Sequence, residues 1–186
     1  MIYTAIIGGK DPVRNDIKVF RNYNRFSTPR MNAKIFKILS HSYIKDEISV
    51  WLDGNIYPLK TEKEIVDLMG DADMMVFRHP FRTNIYDEAK QCQFLKKDNA
   101  KIIDEQMETN PKVRGLFECG VLVRRNNEVM RRFNEAWWAE ICRYSSRDQL
   151  SFPCMIQRFP EIKIKIIEGN IRNHEYFKYV EHNHER

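Results

Sequence analysis

EISVWLDGN, residues 47–55, decides the fold: Glu47 to Leu52 is an apolar, β-branched run that breaks into turn residues at Asp53-Gly54-Asn55. Such a run reads as a central strand. A carboxylate at its end falls where open α/β sheets bind ligands, beyond the carboxyl ends of their strands. Gly54 lets backbone approach a ligand, and Asn55 offers another oxygen two positions on, pointing the same way if the strand extends. Oxygen donors so placed suit a hard divalent cation; an ordinary turn is the competing reading.

Outward from this strand, elements alternate. Ile2 to Ile7 is a short strand stopped by Gly8-Gly9, Met74 to Phe77 a third strand, and Leu116 to Val123 a fourth. Thr28-Pro29 starts a helix whose apolar face is Met31, Ile35, Ile38 and Leu39, and Arg30, Lys34 and Lys37 form a cationic row on its other side. A solvated basic face is the ordinary reading of that row. Thr61 with Glu64 predicts a capping box for a helix through Met69, with Gly70 as its C-terminal cap. Helices are also expected over Asn84 to Lys97, Ala100 to Glu108 and Glu128 to Tyr144, the last with a stripe of Met130, Phe133, Trp137, Ile141 and Tyr144 that reads as core. Ile162 to Ile167 alternates as a half-exposed strand, and the polar, histidine-rich tail of about residues 173–186 reads as solvated. The alternation predicts an α/β fold with a mainly parallel sheet flanked by helices, as one domain over residues 1–186.

Composition allows this. The chain has 186 residues, 42% of them hydrophobic and 12% aromatic, too apolar for a disordered segment. The net charge of +5 favours anionic partners such as nucleotide diphosphates, nucleic acid or acidic membranes without choosing among them. Cys92, Cys119, Cys142 and Cys154 lie far apart, so reduced thiols are expected, and no run approaches the roughly 18 apolar residues of a membrane span. A cytoplasmic protein without an anchor of its own is the expectation.

Three further places could carry chemistry. Ser146 and Gln149 can form a capping box that sets Asp148 in the first turn of a helix, although Pro153 would then lie in its interior and a cap at Ser151 competes. His79-Pro80 follows the third strand, and Glu88 on the next helix can reach back to it. His174, His182 and His184 offer neutral imidazoles from the tail. Each also has an ordinary structural reading.

WLDGN at 51–55, RHP with IYDEA across 78–89, GLFECGVLVR at 115–124 and WWAEICRYSSRDQLSF at 137–152 together resemble the glycosyltransferase-like domain of plant mucilage-related and turgor-regulation proteins, in order and spacing over most of the chain. The resemblance implies a GT-A-like fold and transfer of a sugar from a nucleotide-diphosphate donor to a glycan or glycoconjugate acceptor, in polysaccharide or glycoconjugate biosynthesis. It implies Mn²⁺ or Mg²⁺ on the diphosphate, held by Asp53 as first acid of a DxD-like motif, by Asn55 in place of the second acid, and by a late histidine, His182 first and His174 second. It places Arg30, Lys34 and Lys37 on the nucleotide or its phosphates, and Tyr3 to Gly8, with Thr4, Ile6 and Gly8, around base and ribose. Trp51, Gly54, His79, Glu118 and Arg147 are expected as further contacts to the nucleotide sugar, and Asp148-Gln149 would activate the acceptor or orient the sugar. Nucleic acid is not expected as a partner; peripheral membrane contact stays open. A non-catalytic glycan-, nucleotide- or nucleic-acid-binding module is the alternative. A lipid-amide hydrolase ranks below it, a ceramidase activity having been attributed to a plant relative.

Overall fold

The structure, a computed structural model, describes residues 1–9, 11–110 and 113–181. In chain order the elements are β1 (Ile2–Ala5), β2 (Lys18–Phe20), α1 (Pro29–Ile38), α2 (Ser40–Tyr43), β3 (Ile48–Leu52), β4 (Ile56–Pro58), α3 (Glu62–Met69) and β5 (Met74–Arg78). There follow α4 (Ile85–Phe94), α5 (Ala100–Thr109), β6 (Phe117–Arg125), α6 (Glu128–Arg143), α7 (Asp148–Arg158), β7 (Ile164–Ile167), a 3₁₀ turn at Ile171–Asn173 and β8 (Phe177–Tyr179). The main sheet has the order β2-β1-β3-β6-β5-β7, and β4 pairs with β8 in a separate ribbon.

β1 runs parallel to β2 and β3, and β5 parallel to β7, while β6 lies antiparallel between β3 and β5. Among the described residues the sheet is therefore parallel but for β6, as the alternation of elements predicts. The reversal has a consequence for the rim. β6 begins where β3 and β5 end, so Phe77 lies opposite Glu118 and Leu52 opposite Val121, with the register shifting between Val76 and Phe77.

Side chains leave β3 with a period of two. Trp51 packs into the core shared with α1, α6 and α7, which includes Tyr3, Phe133, Trp137 and Phe152, whereas Val50 and Leu52 enter the opposite core with Ile65 and Met69 of α3. Both faces of the sheet are covered, which explains the unbroken apolar run. Among the described residues no helix is long and apolar enough to cross a membrane.

The helix starts follow their capping residues. Thr28 accepts the Met31 N–H with Pro29 in the first turn, and Thr61 and Glu64 form the expected reciprocal box. The predicted Ser146/Gln149 box does not form. Asp98 engages Ser146 through both its backbone N–H and its hydroxyl and takes the Ser145 hydroxyl too, so α7 begins at Asp148 without a side-chain cap and carries Pro153 inside it.

Two expectations need correction. The polar tail is not simply solvated over its described residues, 173–181. Up to Tyr179 it folds back, β8 pairing with β4, and the His174 ring meets Phe77 edge-on at 4.9 Å and stacks near Phe177. Nor is the row of Lys34 and Lys37 a solvated face, since both lysines are buried.

α1 is fixed by Arg124, a buried residue of β6. Its guanidinium donates to the carbonyls of Lys37 and Ile38 at the end of α1, to Asn134 Oδ1 of α6 at 3.0 Å, and to the Tyr3 hydroxyl at 3.3 Å. A cation at a helix C-terminus answers both its unpaired carbonyls and its dipole. Arg124→Met leaves those carbonyls unpaired in the core, and the expected loss is about 2–4 kcal/mol in urea unfolding. An unchanged midpoint would contradict this role.

Candidate functional site

At the carboxyl end of β3, Asp53 donates its backbone N–H to the Gly120 carbonyl at 2.8 Å. Its side chain is 43% exposed, and its described hydrogen bonds all end on Oδ1, from Lys37 Nζ at 3.0 Å and Trp51 Nε1 at 2.8 Å. Oδ2 faces Gly120, where a Cβ would stand 3.5 Å away. One oxygen is thus tied to Lys37 and Trp51, and the other, in a side chain that is part exposed, has no hydrogen bond among the described residues.

Lys37 reaches a second acid. Its Nζ lies 2.6 Å from Asp148 Oδ2 at the start of α7, and Lys34 Nζ, one turn earlier on α1, lies 3.2 Å from the same oxygen. Burial opposes the charged form of Asp148, but Lys34, Lys37 and Arg147 outweigh it and hold the carboxyl well below the usual range. Burial likewise opposes charge on Lys37, yet Asp148 and Asp53 push its pKa up. Lys34 goes the other way: burial, with the like charges of Lys37 and Arg147, outweighs Asp148 and lowers it to about 8. The result is a buried double cation on a single strongly ionised carboxylate. A carboxylate so stabilised is a weak base.

On the other side of Asp53 stands Glu118, the second residue of β6. Arg172 Nη1 donates to its Oε1 at 2.6 Å, and the same guanidinium lies 4.8 Å over the Tyr179 ring. His79 directly follows β5 and uses Nδ1 to accept the backbone N–H groups of Phe81 and Arg82. Burial and then the Arg82 charge pull its pKa down, so the ring stays neutral. Arg82 Nε donates to Glu88 Oε2 at 2.6 Å; the expected His79 to Glu88 approach is 4.0 Å. Burial, with the Asp148 charge next, pushes the Cys119 thiol far up, which removes a thiolate nucleophile from the site.

The remaining predicted residues sort by what they touch. Asn55 donates from its side chain to the Val180 carbonyl at 2.9 Å, and its own carbonyl accepts the Val180 N–H. A carboxylate could not make the first of these bonds, which accounts for the amide where the DxD-like pattern has an acid. Gly54 is required by Asp11, whose carboxylate would lie 2.3 Å from a Cβ there; Gly8, at φ +87°, would collide with Pro29 at 2.6 Å. Thr4 is wholly buried, and Ile6 gives its N–H to Phe20. Arg30 is exposed and donates to the Lys97 carbonyl and Ser146 Oγ. Gln149 accepts from Arg147 Nη2 at 3.1 Å and donates its backbone N–H to Asp148 Oδ1. His174 is committed to aromatic neighbours and to the Tyr176 N–H. His182 and His184 lie outside the described residues.

The structure also brings in residues that sequence reasoning missed. Buried Arg14 donates to the Ile56 carbonyl at 2.6 Å and holds the loop after Asp53, and Arg172 grips Glu118. Neither stands in a motif. Among the described residues no three His, Cys, Asp or Glu side chains come together to share a metal ion. What fits a hard cation here is Oδ2 of Asp53, because Mg²⁺-type ions use one or two carboxylates and fill their remaining positions with phosphate oxygens and water.

The model of the TOD1/MUCI70, glycosyltransferase-like domain family matches residues 16–182. Alkaline ceramidase TOD1 of Arabidopsis thaliana is 25% identical over 177 residues, covering 83% of this chain and 38% of that protein, so the chain spans well under half the length of this curated relative. Mouse xyloside xylosyltransferase 1 in its apo form is similar at a TM-score of 0.44 and 12% identity, over 81% of this chain and 62% of that one. A glycosyltransferase involved in glycosylation of the major capsid of PBCV-1 is similar at 0.45 and 10%, over 87% and 76% respectively. No residue role is carried over from either structure.

Asp148→Asn leaves two buried lysines facing each other without an anion, and about 3–5 kcal/mol of stability is expected to go near neutral pH. Because Asp148 is held below its unfolded value, its contribution is present above about pH 4 and is lost as pH falls through the folded value. Urea midpoints of the parent should therefore fall more steeply on acidification than those of Asp148→Asn. Equal stability of the two proteins at neutral pH would contradict the ion-pair geometry.

Proposed function

The chain belongs to the TOD1/MUCI70, glycosyltransferase-like domain family, and from that premise we propose that it transfers a sugar from a nucleotide-diphosphate donor to a glycan or other hydroxyl acceptor. The observation that carries this reading is the buried Lys34 and Lys37 pair, fixed on Asp148 beside Asp53. As the glycosidic bond breaks, the departing diphosphate gains negative charge. Cations already in place at the rim stabilise that charge without reorganising at the moment of reaction.

A Mn²⁺ or Mg²⁺ ion, when bound, supplies further charge to the diphosphate oxygens. Asp53 Oδ2 would hold it, and His182 is proposed as the late ligand. Asn55 then acts as an anchor: through Val180 it fixes the chain just before His182. Asp148 and Gln149 orient the donor side, since a carboxylate so strongly ionised is poorly suited to deprotonate a hydroxyl. Trp51 holds Asp53 in its rotamer through the indole N–H. Arg30, Arg147, His79, Gly8 and Gly54 shape the rest of the donor wall, with Thr4 and Ile6 behind the base and ribose. Polysaccharide or glycoconjugate assembly is the proposed setting.

A thermal-shift screen of nucleoside diphosphates with and without Mn²⁺ tests the reading. A ligand at a hundred times its Kd adds about 2.7 kcal/mol, which for a chain of this size raises Tm by roughly 5–10 °C. The Mn²⁺-dependent part of the shift should vanish in Asp53→Asn. No shift with any nucleoside diphosphate contradicts the proposal, and release of a sphingoid base from ceramide without a sugar nucleotide would replace it with amide hydrolysis, the activity in the Arabidopsis relative's name.

A further inference from the structure

We infer that Glu118 is the general base of the transfer, its Oε2 taking the proton of the acceptor hydroxyl. The inference rests on the transferase reading above and assigns a role that reading leaves open.

Glu118 stands on the same rim as Asp53, because β6 runs against its neighbours and starts where β3 and β5 finish. Its two oxygens are treated differently. Oε1 is clamped by Arg172, which is itself held over Tyr179 and within 5.9 Å of the Phe81 ring. Oε2 is buried and has no hydrogen-bond partner among the described residues, in a side chain of a residue only 8% exposed. A buried acceptor left without a donor costs about 1–3 kcal/mol. An oriented carboxylate that tolerates this cost lacks a donor that comes with the substrate, and a hydroxyl is the donor the reaction supplies.

The other acids of the rim differ in having cations or donors against them: Asp148 Oδ2 also lacks a hydrogen bond of good geometry, but lies 2.6 and 3.2 Å from two ammonium groups, whereas no cation stands that close to Glu118 Oε2 among the described contacts. Asp148 faces two lysines, Asp53 Oδ1 faces Lys37 and Trp51, and Glu88 accepts from Arg82 and from the Cys92 thiol. Charge agrees with geometry. Burial raises Glu118, Arg172 opposes, and Asp53 and Glu88 add to the rise, whereas Asp148 is driven down. Carboxyls whose environments push them apart divide acid–base work from charge stabilisation.

In the proposed step the acceptor O–H proton passes to Glu118 Oε2 while the acceptor oxygen bonds to the anomeric carbon. The bond from that carbon to the diphosphate oxygen breaks, and its electron pair leaves on the nucleoside diphosphate. Glu118 then returns the proton to solvent. Arg172 stays on Oε1 and keeps the carboxylate oriented through the transfer. A single displacement of this kind inverts the anomeric centre.

The test uses the whole chain with a panel of UDP- and GDP-sugars and methyl glycoside acceptors, scored for turnover and, by NMR, for product configuration. Glu118→Gln should lower kcat by at least about 100-fold while keeping the parent's thermal shift with nucleoside diphosphate, and the parent's product should be inverted. Turnover of the variant within about threefold of the parent, or retention of configuration by the parent, overturns the base assignment alone. A parent that binds nucleoside diphosphate but turns over none of these donors overturns the base and leaves nucleotide binding standing. One that does neither removes the transferase reading together with it.

Discussion

Asp148 sits within 2.6 and 3.2 Å of two lysine ammonium groups, all three buried, and this contact constrains everything around it. Two cations in the core repel each other and lose hydration, so they persist only where an anion and additional polar contacts compensate. That requirement fixes the start of α7 against the middle of α1. It also explains why α1 is so firmly held at its end, where Arg124 gathers the last carbonyls of the helix, Asn134 of α6 and the Tyr3 hydroxyl into one buried knot.

The carboxylates of the rim are divided by their neighbours rather than by their own chemistry. Asp148 is surrounded by cations and is reduced to a fixed negative charge. Asp53 straddles the sheet edge, with one oxygen tied by Lys37 and Trp51 and the other facing Gly120. Glu118, near the start of β6, has one oxygen clamped and one without a donor among the described residues. Three acids on one edge thus stand in three different environments.

Much of the fold could be read from local pattern. The apolar runs of β1, β3, β5 and β6 and the capped helices α1 and α3 depend on nearest neighbours in sequence, and their limits fall within a few residues of expectation. Where a distant residue competes, the reading fails. Asp98 removes Ser146 from the expected cap of α7, and the three-residue strands β2, β4 and β8 are too short to show a period. The site divides the same way. Asp53 at a strand end is a local signal, and the spacing of Lys34 and Lys37 put them on one face. That the face is buried follows only from Asp148, far along the chain, and Arg172 gives no sign in sequence of its bond to Glu118. Asn55 looks like a weakened metal ligand until the Val180 carbonyl accounts for its amide.

If the lysine pair exists to receive a diphosphate, binding must restore the proton that burial and like charge make Lys34 ready to lose. Lys34 titrates at about 8, and a bound polyanion raises that value. Isothermal titration calorimetry of nucleoside diphosphate binding just above this pH, repeated in buffers of different ionisation enthalpy, measures the proton exchanged. The account predicts net uptake of somewhat more than half a proton per ligand, abolished in Lys34→Met. Binding with no proton uptake, or uptake that survives Lys34→Met, would contradict it.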